Sequence, residues 1–443
     1  MVGAMVGAMV GGIVNIVVRR RHAISFAFMC NSGYNMSTVV PFWDGHVYVL
    51  FFWNYGMKSD PFYAFVATVL KLGRTPKGYV RTGRRADAIF KTIFKGVKPT
   101  ILEIWEIYTQ HRDDLTRKLV TTKETVVAYL LGFHLTNMAR ATVLYERSDA
   151  RHGWKKRLKG KKVRVYDIGC GTGAMTLALG LHDAEYFMID GSNPLLEAAA
   201  MLAKEMDLKV KTTRRVIEDL DPKQFATREG EDTVHIYLFG YVWNELARNN
   251  TARRKLITLL NNHIKRKEQC LVFIAEPALE QMARSTMELR DVLCAAGYVA
   301  LYPCPHSNHC PMLDRPKDWC YSEGEWDQPP LAKWIDEQLE MTRSRHAGSL
   351  FAFSSPAMGL TSDPARIVVG RPVRDEGKER YKGFFDYLVC DEDGISKHTP
   401  LAPLQVVSRG LILNEKVNSS QSTDRIDSKA KHGIKIKPKG PKK

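Results

Sequence analysis

A strand, a glycine-rich turn and a helix follow one another at Val165-Tyr-Asp167-Ile-Gly169-Cys-Gly171-Thr-Gly173-Ala, and no other stretch of the 443-residue chain limits its fold so strongly. Glycines at alternate positions let the backbone turn tightly and approach a ligand where a β-carbon would collide. From Val163 onward, apolar strands alternate with helices: VRVYDIG, GAMTLALGL, EYFMID, NPLLEAAAMLAKEM and VKTTRRVI. TVHIYLFGYV and QCLVFIAE follow, with a helix from about Thr251 to Lys265 between them. Such alternation predicts a parallel sheet with helices on both faces, a doubly wound α/β domain.

The loop G-C-G-T-G places glycine at every second residue, unlike the GxGxxG of dinucleotide folds. Asp167 ends the strand before it, and Asp190 ends the next strand, where a carboxylate can accept hydrogen bonds from both ribose hydroxyls. The pattern resembles the first motif of class I S-adenosylmethionine-dependent methyltransferases, a Rossmann-like α/β fold. That resemblance implies S-adenosylmethionine as cofactor, held by Asp167, Gly169, Gly171, Gly173 and Asp190. Asp167 is expected near the methionine amino group, Asp190 on the ribose, and Glu218 or Asp219 at the adenine.

The sequence assigns no catalytic group. Methyltransferases acting on exocyclic amines usually end the fourth strand in an Asn/Asp-Pro-Pro-aromatic turn, whereas this chain has Gly240-Tyr241-Val242-Trp243-Asn244-Glu245-Leu246. Attack on a pyrimidine carbon needs an activated cysteine, and neither Cys270 nor Cys294 has an obvious neighbouring base. Tyr241, Asn244 and Glu245 are candidate substrate contacts, because α/β sheets bind ligands at the carboxyl ends of their strands. They are equally readable as the start of a packing helix.

Four cysteines follow the nucleotide fold: Cys304, Cys310 and Cys320, separated by five and nine residues, and the distant Cys390. Eight cysteines in so long a chain, without the dense spacing of a disulfide framework, point to a reducing compartment and to metal ligation. Four thiolates suit zinc or an iron–sulfur centre, and His306 or His309 could each replace a thiol. Structural zinc sites commonly use a tighter C-x2-4-C spacing, so this one leans toward iron–sulfur.

The formal charge is +17, and residues 151–164 (RHGWKKRLKGKKVR) and 429–443 (KAKHGIKIKPKGPKK) contain no acid. Such runs suit phosphate contacts with a polyanion. Residues 1–44 read as an organellar transit segment, being glycine-rich and apolar, then arginine-bearing, with no acid before Asp44. The competing readings are a start at Met36 or a marginal membrane anchor. Residues 45–160 read as a helical region, with a capping box expected at Thr121 and Glu124. The methyltransferase-like domain is expected over 161–300, a cysteine-cluster extension with short strands over 301–409, and a basic disordered tail over 410–443.

Together the glycine loop, residues 241–246, Ala275-Glu276-Pro277, Pro303-Cys-Pro-His306, Cys310-Pro311 and Asp318-Trp319-Cys320 resemble a known family. It is the mitochondrial small-ribosomal-subunit methyltransferase-like family, which includes methyltransferase-like protein seventeen and bacterial relatives. Residues 365–372 and 388–394 look like its late strands, the second carrying its last cysteine. The resemblance implies a four-iron four-sulfur cluster on Cys304, Cys310, Cys320 and Cys390, bound S-adenosylmethionine, and a role in small-subunit assembly. It further implies small-subunit rRNA and ribosomal proteins as partners, a monomer on the ribosome, no stable membrane insertion and a mitochondrial location, or a cytoplasmic one in a bacterium. A working rRNA methyltransferase and a small-molecule methyltransferase are the alternatives.

Overall fold

The computed structural model describes residues 61–73, 84–109, 120–227, 231–247, 249–362, 366–370 and 387–398, together with the short pieces 14–19, 23–29, 35–43, 46–47, 409–410, 412–413 and 424–425. The chain divides into two units at residue 64. In the first, β1 (Val14–Arg19), β2 (Ala23–Met29), β3 (Asn35–Trp43) and β4 (His46–Val47) pair successively in an antiparallel sheet. The first three lie in the stretch read as a targeting segment, the rest of which is outside the described residues. Among the described residues, no helix is long and apolar enough to cross a membrane.

The second unit begins within α1 (Pro61–Leu72) and continues with α2 (Arg84–Thr109), α3 (Lys123–Tyr129) and α4 (Leu135–His152). Thr122, one residue beyond the expected Thr121, caps α3: its hydroxyl accepts from Thr125 N, and the Thr125 hydroxyl accepts from Thr122 N at 3.0 Å. Glu124 instead accepts from the Thr100 hydroxyl of α2 at 3.1 Å. One π-helical turn, Leu130–His134, joins α3 to α4. Such turns are rare and concentrate at functional sites.

The alternation then builds β5 (Lys162–Ile168), α5 (Ala174–Leu179), β6 (Glu185–Asp190), α6 (Asn193–Glu205), β7 (Lys209–Arg214), β8 (Thr233–Gly240), α7 (Asn250–Lys265), β9 (Gln269–Glu276), α8 (Glu280–Ala295) and β10 (Val299–Tyr302). Next come β11 (Ser322–Glu325), α9 (Pro330–Leu339) and β12 (Arg345–Ser354). The main sheet runs β10-β12-β9-β8-β5-β6-β7, with β11 paired to β12. Strands β5 to β9 are parallel neighbours, but β12 runs antiparallel to both β9 and β10. The expected parallel sheet is therefore mixed.

The sheet also extends past the expected boundary at 300, because β10 and β12 fill its last two positions. Strand β12 inserts where its Leu350, Phe351, Ala352 and Phe353 bury completely or nearly so against β9. A second, five-stranded sheet holds β13 (Arg366–Val368), β14 (Tyr387–Asp391), β15 (Gly394–His398), β16 (Ile412–Leu413) and β17 (Asp424–Arg425). The last two strands fall within the stretch expected to be disordered, whose other residues from 414 onward lie outside the described ones.

Candidate functional site

At the carboxyl ends of β5, β6 and β8, the chain encloses a cavity of about 1160 Å³. Asp167, Gly169, Gly171 and Asp190 line it, together with Tyr241, Asn244 and Glu245. Gly173 lies just behind, as the N-cap of α5. The glycine turn needs its residue type: Gly169 has φ +68°, and a β-carbon there would stand 2.5 Å from a Val242 methyl. Gly171 has φ +53°, and its nearest neighbour, the Tyr129 hydroxyl, would be 4.0 Å from an added β-carbon. The turn is thus packed tightly on one side and open toward the cavity on the other.

Asp190 braces that turn. Its two oxygens accept from the Gly171 and Ser192 amides at 2.8 Å each, and burial raises its pKa against these bonds. Asp167 is 1 % exposed; its Oδ2 accepts from the Thr176 hydroxyl at 2.7 Å, while its Oδ1 is buried without a partner. Burial pushes this carboxyl up to about 7. An orphaned carboxylate oxygen at a cavity wall fits a cationic ligand group.

Glu218 and Asp219, expected at the adenine, are not among the lining residues. Glu218 instead accepts a hydrogen bond from the Asn249 amide, and its carbonyl accepts from Lys255 Nζ at 2.6 Å. These bonds tie the short turn Ile217–Asp219 to the start of α7, so the carboxylate serves packing. Gly191, Ser192, Arg214, Leu246 and Ala247 form the cavity wall nearby.

The turn after β8 is held by a residue whose role the sequence did not reveal. Glu276, fully buried at the end of β9, accepts from Trp243 N at 2.7 Å and from the Asn244 side-chain amide. Asn244 also donates to Tyr241 O at 2.8 Å, so its side chain is spent on the turn's own shape. Tyr241 takes φ +66°, a costly conformation for an aromatic residue, and its hydroxyl accepts from Arg140 at 3.2 Å. Tyr129 and Asn137, from α3 and α4, and Arg253, Arg284, Ser285 and Glu288, from α7 and α8, complete the walls. No motif marked them, because long-range packing alone brings them there. His134, in the π-helical turn, meets the Thr172 hydroxyl of the glycine loop at 2.8 Å.

Burial pushes Glu276 up to about 8, against the donors that favour its charged form. Its folded value therefore lies above the ordinary carboxylate value. The folded chain holds a proton that the unfolded chain has released, and stability falls as pH rises toward 8. Asp167 contributes in the same sense only up to about 7. Between pH 7 and 8, urea unfolding of the intact chain should lose about 1 kcal/mol that Glu276→Gln does not lose.

Cys310, Cys320 and Cys390 are buried and Cys304 partly so, and all pack into one apolar cluster with Met312, Trp319 and Leu388. Strand pairing sets Cys390 opposite Ile367. Burial raises Cys310 to about 12 and Cys390 well above the usual thiol value, and each is raised further by the neighbouring thiols. Among the described residues, no three of the four thiols lie within 4.8 Å of one another. His306 stands with Nε2 3.8 Å from Cys390 Sγ, whereas His309 is exposed and pairs with Asp291 at 2.6 Å.

Guanidinium groups hold the irregular loop that carries Cys304, Cys310 and Cys320. Arg290, fully buried, donates to the carbonyls of His306 and Asn308 and acts electrostatically on Cys304. Arg284 donates to the carbonyls of Leu313, Arg315 and Asp318 at 2.7–3.0 Å, and Arg151 to that of Cys304 at 3.2 Å. A loop without secondary structure must satisfy its buried carbonyls in this way. The same cations are suited to thiolate charge.

Residues 159–330 match the model of a protein family described as mitochondrial small ribosomal subunit Rsm22. The family resemblance read from the motifs is borne out over that stretch. No curated protein matches the chain. Similar solved structures include the plantazolicin methyltransferase BamL in complex with a triazolic desmethylPZN analog and SAH, at 12 % identity over 62 % of this chain and 99 % of that one, TM-score 0.31. Another is magnesium protoporphyrin IX methyltransferase from Synechocystis PCC 6803 with bound SAM, at 12 % identity over 58 % and 97 %, TM-score 0.28.

Proposed function

We propose that this chain is a methyltransferase-fold component of the mitochondrial small ribosomal subunit that binds S-adenosylmethionine, carries a four-iron four-sulfur cluster and docks on rRNA during subunit assembly. The observation that carries this reading is the family match over 159–330, which spans both the glycine loop and three of the four cysteines. The exposed Lys155, Lys156, Arg157 and Lys159 of the first basic run, with the run at 429–443, would supply charge for phosphate contacts without a sequence-reading motif, which suits shape-directed RNA binding.

In the cavity, Gly169 and Gly171 would admit the cofactor's backbone contacts, Asp190 would meet the ribose, and the orphaned Asp167 oxygen would meet the methionine ammonium. When bound, S-adenosylmethionine supplies an electrophilic methyl group. Asn244 is committed to its own turn and no lining residue is assigned as a base, so a binding and assembly role is favoured over methyl transfer. Only ionised Asp167 attracts the ammonium. Affinity measured by calorimetry should therefore rise roughly 20-fold from pH 5.5 to 7.5, about tenfold per pH unit well below the pKa. Asp167→Asn should abolish that dependence.

For the thiols, a single zinc ion with bonds of about 2.3 Å would draw tetrahedral ligands to roughly 3.8 Å apart. Among the described residues no three of Cys304, Cys310, Cys320 and Cys390 come within 4.8 Å of one another, and the surrounding guanidiniums fit thiolate ligands. Crosslinking in mitochondria followed by sequencing of the bound RNA tests the assignment. Reads should concentrate on small-subunit rRNA, and an even spread over unrelated transcripts would refute it. Transfer of a labelled methyl group to that RNA would instead favour the enzyme reading.

A further inference from the structure

Two buried imidazoles and one partly exposed carboxylate meet at the end of β8 opposite the cavity. His235 lies near the start of β8, His263 in the last turn of α7, and Glu268 just before β9, and one donor atom from each lies within 4.8 Å of the others. Both imidazoles are essentially inaccessible, at 0 % and 1 % exposure. No described cysteine, and no residue of the cavity wall, belongs to this group.

The hydrogen bonds around the triad sort the ring nitrogens into two kinds. Each Nε2 is fixed by a hydroxyl: His235 by Thr227 at 2.8 Å, His263 by Tyr237 at 2.7 Å. Of the two Nδ1 atoms, that of His263 lies 2.6 Å from Glu268 Oε2, and that of His235 is buried with no partner. Glu268 keeps its other oxygen on the Thr227 amide at 3.0 Å. A core network built only for packing would satisfy the fourth nitrogen, because burying an unpaired polar atom is costly. Metal-bound histidines, by contrast, typically engage the second ring nitrogen with an oriented partner, as Thr227 and Tyr237 do here.

We propose that His235, His263 and Glu268 form a binding site for a zinc-class divalent cation. Two imidazoles and one carboxylate match zinc's donor preference, and three protein ligands leave a fourth position for water. Burial and the neighbouring His263 hold His235 neutral, the form in which it can ligate. The Glu268 side chain remains 11 % exposed, which gives an ion access. Bound there, the cation would join β8, α7 and the start of β9.

The test is equilibrium dialysis of the full chain against zinc, with elemental analysis of zinc and iron and X-ray absorption at the zinc edge. The expected result is one zinc per chain with a nitrogen and oxygen shell. Its affinity should fall more than about 100-fold, beyond the usual effect of losing an outer partner, in His235→Gln and in Glu268→Gln. Iron content should not change in either variant, which separates this site from the proposed cluster. Glu268→Gln is isosteric and partly exposed, so it reports even if His235→Gln fails to fold. A chain that binds no zinc, a sulfur-dominated shell, or undiminished affinity in Glu268→Gln would overturn the site.

Discussion

Alanine at Gly169 is expected to destabilise the folded chain by about 2–5 kcal/mol and to abolish S-adenosylmethionine binding. Two causes add. A residue with a β-carbon at φ +68° costs about 1–2 kcal/mol, and the new methyl, 2.5 Å from Val242, forces a repacking worth about 1–3 kcal/mol. Val242 cannot easily retreat, since the next residue, Trp243, is held by Glu276 at 2.7 Å. Gly171→Ala separates folding from binding. Its β-carbon meets nothing closer than the Tyr129 hydroxyl at 4.0 Å, so only the φ strain of about 1–2 kcal/mol remains. The methyl would nevertheless occupy the ligand's side of the turn. Urea unfolding and calorimetry should therefore find both variants non-binding, with Gly171→Ala losing less stability than Gly169→Ala. Normal cofactor affinity in Gly171→Ala would remove the glycine loop from the proposed site.

Cys390→Ala is expected to release the iron and to loosen two separate stretches, the loop from Cys304 to Cys320 and the strand pair β13–β14. A centre bridging Cys304 and Cys390 closes a loop of more than eighty residues. A covalent cross-link of that length would contribute about 4 kcal/mol through the unfolded state. Removing one ligand should thus raise amide exchange in residues 304–320 as well as beside Cys390 itself. Strands β8 and β9, buried through the middle of the main sheet, should keep their protection. Cys294→Ala is the matched control: that thiol is half-buried on α8 and outside the proposed ligand set. Iron content and exchange should remain near those of the unaltered chain. If Cys390→Ala leaves exchange in 304–320 unchanged, the cysteines share no centre.

The elements that carry strong local patterns were legible in the sequence. Strands β5, β6, β8 and β9 are apolar runs bounded by turns, and the glycines after β5 announce a ligand-facing bend. The direction of β12 was not legible. A strand's own residues do not encode whether its neighbour is parallel, and the antiparallel insertion follows from what Phe351 and Phe353 meet on β9. The boundary at 300 failed for the same reason, since β10 and β12 are separated by the cysteine loop, β11 and α9. At the cap of α3, adjacent threonines satisfy similar local rules, and tertiary contact of Glu124 with Thr100 selected Thr122.

The site shows the same division. Asp167 and Asp190, which line the cavity, carry the local signature of strand-end carboxylates. Glu218 and Asp219 have one too, but Asn249 and Lys255 of the α7 region draw Glu218 away from the cavity. Glu276 sits in a quoted motif, yet its role in fixing residues 241–244 depends on contact across the sheet. The His235, His263 and Glu268 group is assembled from a strand, a helix and a turn, and no spacing rule would have joined them.

The most direct test is the metal content of the full chain purified without air. About four iron and four sulfide per chain are expected, with a broad band in the visible blue that Cys310→Ala removes. A folded chain devoid of iron, whatever zinc it holds, would rule out the cluster and the assignment built on it.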